Sequence, residues 1–154
     1  MPPSTRSMSK IAWLGVNNAE FFNLHKLFAV VGASTDRGKF GNKVLRCYLK
    51  RGYPCVPING RAPEIEGLKT HNTLTSLQAS LVAPMTMKDV GISIVTGPSV
   101  TNGIILEAYE LGARSFFLQP GTYDSAVDDT CRSLPDIEVI KSCVLVDLDC
   151  HDDF

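Results

Sequence analysis

The chain has 154 residues, 44% of them hydrophobic and 20% charged, with a net charge of −1. That length suits one domain with a full core, and the composition is that of an ordinary globular protein, which sets aside fibrous and disordered classes. No apolar run approaches the length needed to span a bilayer, so the chain reads as soluble with no membrane partner.

The small net charge hides an asymmetry. Residues 1–61 carry ten Lys or Arg against two acids, a balance of +8, whereas residues 62–154 carry five basic and fourteen acidic residues, a balance of −9. A basic half attracts a polyanionic ligand or simply solvates its helix faces. The basic residues are not interleaved with aromatics and the whole is slightly acidic, which argues against nucleic acid. Five cysteines, Cys47, Cys55, Cys131, Cys143 and Cys150, form no C-x-x-C pair and are odd in number. The expectation is buried free thiols in a reducing compartment, with no disulfide framework and no metal site.

Residues 1–26 read as an N-terminal extension. Its first nineteen residues are irregular, with Pro2, Pro3 and several serines, and act as a disordered or strapping arm or as a transit peptide. The location expected is therefore the cytoplasm, or the mitochondrion if that segment is a leader. Residues 20–27 fit a short helix containing His25.

Residues 28–52, FAVVGASTDRGKFGNKVLRCYLKRG, organise the rest. Phe28, Ala29, Val30 and Val31 form the short apolar run of a strand covered on both faces, and Gly32 stops it. Val44, Leu45, Tyr48 and Leu49 then recur at helical spacing, and Gly52 with Pro54 ends the helix. Between strand and helix lie Gly32, Ala33, Ser34, Gly38, Lys39 and Gly41. Such a turn lets backbone N–H groups and a helix N-terminus converge on an anion. Its glycine spacing is neither G-x-G-x-x-G nor a P-loop, so the turn alone names no ligand.

Residues 53–59, YPCVPIN, predict a second strand, placed near an edge by Pro54 and Pro57. A fold that binds NAD expects Asp or Glu at this strand's end, about twenty residues past the glycines. Here stand Asn59, Gly60 and Arg61. An arginine suits a phosphorylated ribose, or else is an exposed loop residue. Residues 64–67 continue as loop or short strand, 73–81 as a helix, and 82–89 as a long connection. Residues 90–95, VGISIV, predict the third strand, running into Thr96, Gly97, Pro98 and Ser99, whose hydroxyl suits a helix cap. In the helix that follows, Val100, Ile104, Ala108 and Leu111 fall on one stripe. SFFLQ at 115–119 is a fourth strand, followed by Pro120 and Gly121. Thr122 or Asp124 opens a helix with Val127, Cys131 and Leu134 inward, and 136–140 is a fifth strand.

Strands alternating with helices predict an α/β fold, a Rossmann-like three-layer sandwich with a parallel sheet of about five strands. Such sheets bind ligands at the carboxyl ends of their strands. Four of those ends carry small-residue turns, at 32–34, 59–61, 96–98 and 119–121, leaving a crevice for a nucleotide.

The succession VVGAS, VPIN, SIVTGP, ILEAYELGARSFFLQPG and KSC resembles the stand-alone CoA-binding domain family, whose fold is that of the nucleotide-binding domain of the succinyl-CoA synthetase alpha subunit. The likeness covers roughly residues 27–145 and leaves 146–154 as an acidic tail. Family members commonly place an arginine before the proline after the third strand and end the second strand in Asn-Pro. This chain has Gly97-Pro98 and Asn59-Gly60 instead. Carried over by position, the resemblance implies that Gly32, Ala33, Ser34, Lys39 and Gly41 meet the diphosphate and that Asn59 and Arg61 lie near the ribose and its 3′-phosphate. It further implies that Val95, Thr96 and Gly97 border the adenine or diphosphate, with Gln119 and Pro120 by the pantetheine arm.

No catalytic residue is assigned. His25, His71 and His151 fall at no predicted strand end, the phosphorylated histidine of the synthetase lies in a domain with no counterpart here, and Cys143 reads as a buried small hydrophobe. The acids Asp147, Asp149, Asp152 and Asp153 read as a solvated tail. The expected function is therefore to hold CoA or acyl-CoA without ligase activity, as a homo-oligomer or beside a ligase partner. The alternatives are an NADP- or NAD-binding redox enzyme or sensor, and a ligand-free module that binds a partner.

Overall fold

A computed structural model describes residues 10–12, 18–151 and 153–154. The apolar run at 27–31 forms β2 (Leu27–Val31), with Phe28, Ala29 and Val30 fully buried. A strand apolar on both faces needs a covering layer on each side, and the chain supplies both. In chain order the elements are β1 (Lys10–Ala12), α1 (Ala19–Leu24), β2, α2 (Phe40–Lys50), β3 (Cys55–Ile58), the hairpin β4 (Glu64–Ile65) and β5 (Leu68–Lys69), and α3 (Leu74–Ser80). Then come β6 (Val90–Ile94), α4 (Pro98–Glu110), β7 (Ser115–Leu118), α5 (Ser125–Ser133), β8 (Glu138–Lys141) and the short α6 (Val144–Asp147).

The main sheet has the order β1-β8-β7-β6-β2-β3 and every pairing in it is parallel. This is an α/β Rossmann-like sandwich. It has one strand more than expected, because Lys10–Ala12, within the stretch read as irregular, pairs with β8. The arm or leader expected for residues 1–9 and 13–17 lies outside the described residues.

One face of the sheet packs on α1, α2 and α6 through Phe21, Phe22, Val44, Leu45, Tyr48, Val144 and Leu145. The other packs on α3, α4 and α5 through Leu74, Leu77, Ile105, Ala108, Val127 and Cys131. Gly91 in β6 makes room on the first face. A Cβ there would lie 2.7 Å from the Phe21 ring and 3.0 Å from that of Phe28.

Several expectations are corrected. Of the stripe expected in α4, Ala108 is fully buried and Ile104 and Leu111 pack partly buried against the core, but Val100 is 52% exposed, and Thr101 and Ile105 are buried in addition. The helix begins at Pro98, and its buried face is centred on Thr101, Ile105 and Ala108. Its N-cap is Gly97, with no side-chain cap from Ser99. In α2, Leu49 is largely exposed while Cys47 is fully buried. Cys47 is bonded to Cys150 in a disulfide with a sequence separation of 103. The expectation of five free thiols fails because spacing motifs register only local pairs, and the compartment inferred from it loses that support.

The acidic tail is not merely solvated. Asp153 pairs with Lys50 at 2.9 Å, Arg51 donates to the carbonyls of Leu148 and Asp149, and Phe154 lies under the Arg46 guanidinium at 4.3 Å. The Lys50 hydrogen bond holds the Asp153 carboxyl below its ordinary range. Asp152 lies outside the described residues. Among the described residues, no helix is long and apolar enough to cross a membrane.

Candidate functional site

In a parallel sheet all carboxyl ends share one rim, and the chain reverses direction across the sheet where β2 lies between β3 and β6. Ligand crevices open at such switch points. The residues just past β2 and β6 are therefore the centre of the site.

Gly32 leaves β2 with φ +94, a conformation that favours glycine, and a Cβ there would lie 3.0 Å from both Val95 and Thr96 side chains. The two turns are thus in contact. Gly41, in the first turn of α2, is pressed against Gly32 so closely that a Cβ would overlap the Gly32 carbonyl. This flush contact brings the start of α2 to the rim. Its N-cap, Lys39, supplies no side-chain acceptor, which leaves the N–H groups of Phe40 and Gly41 uncapped and available to an anion.

The turn between them is internally braced. The Asp36 N–H donates to Ser34 Oγ at 3.0 Å, and the Gly38 N–H donates to Asp36 Oδ1 at 2.9 Å. Asn59, at the end of β3, donates from Nδ2 to the Ala33 carbonyl at 2.8 Å. Its Oδ1 accepts from the N–H groups of Arg61 and Ala62 at 2.8 and 2.9 Å. Asn59 is a tie between neighbouring turns, a role the residue pattern did not show.

Asn42 is another such tie. Fully buried in α2, it donates to the Ser34 carbonyl at 2.9 Å and to Glu66 at 3.1 Å, and accepts from Arg46 Nε at 2.6 Å. Glu66 also pairs with Arg37 at 3.2 Å, so the β4–β5 hairpin is clipped to the turn. The only sequence signal was a polar residue on an apolar helix face.

Beside this turn a cavity of about 240 Å³ opens between the ends of β6 and β7. Five expected residues line it: Val95, Thr96, Gly97, Gln119 and Pro120. Phe40, Gly121, Thr122 and Cys143 line it too and were not among the residues assigned to the ligand. Cys143 is half-buried in the cavity wall, not a core thiol. Buried Thr101 pins the floor, its hydroxyl 2.8 Å from that of Thr96 and donating to the Gly97 carbonyl at 3.0 Å. Gln119 accepts from the Val144 N–H at 2.6 Å, while among the described residues its Nε2 meets only the Cys143 sulfur at 3.4 Å.

Lys39 and Arg61 are exposed on the rim and do not line the cavity. His71 does reach a strand end, bridging to Ile58, but its ring is engaged by Ser76 at 2.8 Å. The remaining free thiols are unlike Cys143 in position: burial pushes Cys55 up to about 12 and Cys131 up to about 11.

Two larger cavities lie elsewhere. One of about 450 Å³ borders Pro84, Met85 and Gly112 at the amino ends of β6 and β7, and one of about 310 Å³ borders Asn18, Tyr53 and Asp147. Neither touches the turns at the switch point, and position outweighs size here.

The class of protein defined by this fold and rim is a Rossmann-like α/β domain with a glycine turn beside a largely apolar cavity. The chain belongs to the CoA binding domain family, which it matches over residues 26–149. A conserved hypothetical protein from Pyrococcus furiosus is similar in structure, with 28% identity, a TM-score of 0.66, and coverage of 79% of this chain and 97% of that one. A Thermus thermophilus protein shares the fold at 22% identity, with a TM-score of 0.69 over 85% of this chain and 93% of its own. The dinucleotide forming acetyl-coenzyme A synthetase 1 of Ca. Korarchaeum cryptofilum is 27% identical over 65% of this chain and 20% of its own, with a TM-score of 0.51. None of the curated proteins is significantly similar.

Proposed function

We propose that the protein binds CoA or an acyl-CoA along the carboxyl rim of its sheet and holds it without ligase chemistry of its own. The observation that carries this is the contact of the Gly32 and Thr96 turns beside the open start of α2. Uncapped N–H groups and a basic half favour a diphosphate. In this reading Gly32, Ala33, Ser34, Lys39 and Gly41 face the diphosphate, and Arg61, beside Asn59, faces the phosphorylated ribose. Val95, Thr96 and Gly97 border the nucleotide, and Gln119 and Pro120 border the pantetheine arm. The family match and the structural likeness to an acetyl-CoA synthetase support the same ligand.

Titration calorimetry against CoA, NADP and NAD tests the reading. We expect saturable one-to-one binding of CoA that weakens with added salt, because phosphate contacts are screened. Binding of NADP or NAD with no heat from CoA would overturn it. Ser34→Glu sets a carboxylate against the phosphates in the turn. It is expected to abolish CoA binding while lowering the melting temperature of the unliganded protein by only a few degrees, the cost of the lost Asp36 N–H to Ser34 Oγ bond being about 1 kcal/mol.

A further inference from the structure

Resting on that CoA reading, we propose that the cavity between the ends of β6 and β7 selects the acyl group, accepting short uncharged acyl chains and rejecting those that end in a carboxylate. Phe40 is the specificity-determining wall.

The chemistry of the lining changes sharply along the rim. The turn at 32–41 presents N–H groups and cations, whereas among the described residues the cavity one strand away is lined by no charged side chain. Lys141, at the end of β8, is withdrawn from it. Its side chain is 2% exposed, paired with Asp128 at 2.5 Å and stacked 4.5 Å from the Tyr123 ring centroid. A ligand whose phosphates sit at the turn therefore meets an uncharged slot at its other end. An acyl carboxylate brought into that slot loses water and finds no cation in its described lining, since Lys43 lies over the Phe40 ring at 5.5 Å from its centroid without lining the cavity.

Size sets the second limit. A volume of about 240 Å³ holds roughly eight water-sized groups, enough for the thiol end of the arm and a few acyl carbons. A long fatty chain has to leave for solvent.

Phe40 supplies apolar surface that the fold itself does not use. It is the first residue of α2, 58% exposed, and it faces the cavity with Val95 and Pro120. Gln119 supplies the polar point. It is 3% exposed, its Oε1 is fixed by the Val144 N–H, and among the described residues its Nε2 meets only a weak sulfur acceptor, so an N–H remains for a thioester or pantetheine carbonyl.

The test is a calorimetric series on the full chain with CoA, acetyl-CoA, butyryl-CoA, malonyl-CoA and octanoyl-CoA, repeated on Phe40→Ala. Burying the acyl methylenes predicts butyryl-CoA about tenfold tighter than CoA, octanoyl-CoA no tighter than butyryl-CoA, and malonyl-CoA weaker than CoA. Phe40→Ala is expected to erase most of the butyryl gain, read as the ratio of butyryl-CoA to CoA affinity within the variant so that any change in the binding of CoA itself cancels. CoA binding with a flat acyl series, with malonyl-CoA equal to butyryl-CoA, or with the gain intact in Phe40→Ala overturns this inference alone. Failure of every thioester and of CoA to bind overturns it together with the reading beneath it. The acyl series on the unmodified protein decides the matter even if the variant misfolds.

Discussion

Replacing Gly41 by alanine strikes the contact that brings α2 to the rim. The new Cβ would overlap the Gly32 carbonyl oxygen and lie 3.0 Å from its carbon and 3.2 Å from Ala33 Cα. All three are backbone atoms, so no rotamer change relieves the clash and the helix start must move away from the turn. Overpacking of this kind costs about 3 kcal/mol at its upper end, and alanine returns about 1 kcal/mol of helix propensity. The net loss is about 2 kcal/mol, which for a chain of this size lowers Tm by about 6 °C. CoA affinity should fall at least about tenfold, since the uncapped N–H groups no longer face the phosphates. Gly103→Ala is the control. It lies in α4 with nothing within 4 Å of a Cβ, and should gain about 1 kcal/mol with CoA binding unchanged. Thermal melts and calorimetry on both variants decide it. If Gly41→Ala melts at or above the parent temperature and keeps its affinity, the close contact plays no part in forming the site.

Other outcomes follow from the cysteines. At pH 8 an alkylating reagent should modify Cys143 first, because burial holds Cys55 and Cys131 as thiols with values pushed up to about 12 and about 11. Acetyl-CoA, which has no thiol of its own, should protect Cys143; mass mapping that finds Cys131 labelled first, or no protection, contradicts this. The raised thiols also give a pH dependence. The unfolded chain loses these protons at lower pH than the folded one, so stability is complete below about pH 8 and declines as pH rises toward 11. Denaturant melts at pH 7 and pH 10 should show the fall, and it should shrink in Cys131→Ala. Reducing the Cys47–Cys150 bond, or Cys150→Ser, should cost about 5 kcal/mol in a urea melt by freeing a loop of 103 residues; equal midpoints with and without reductant would deny the disulfide a stabilising part.

Strand runs such as 28–31 and 90–94 were legible because each is short, apolar and closed by a glycine or small-residue turn. Their parallel order then put four turns on one rim. The sixth strand was not legible, since Lys10–Ala12 is three residues long and owes its place to the β8 edge. Asn42, Asn59 and Phe40 were missed or given other roles for a related reason. Each is defined by contacts between turns far apart in sequence, and no periodicity encodes those. The disulfide is the same case, with partners 103 residues apart. In α4 the cap was expected at Ser99, two residues past the actual N-cap Gly97, and Val100 was assigned inward although Thr101 is the residue buried in that turn.

The central claim, that a nucleotide lies where β2 and β6 end, is tested most directly by an amide chemical-shift titration of the labelled protein with CoA. The largest shifts are expected at Gly32, Ala33, Ser34, Phe40, Gly41, Thr96 and Gly97, with smaller ones at Gln119 and Gly121. Shifts centred instead on Met85 and Gly112 or on Asn18 and Tyr53, beside the two larger cavities, would contradict it.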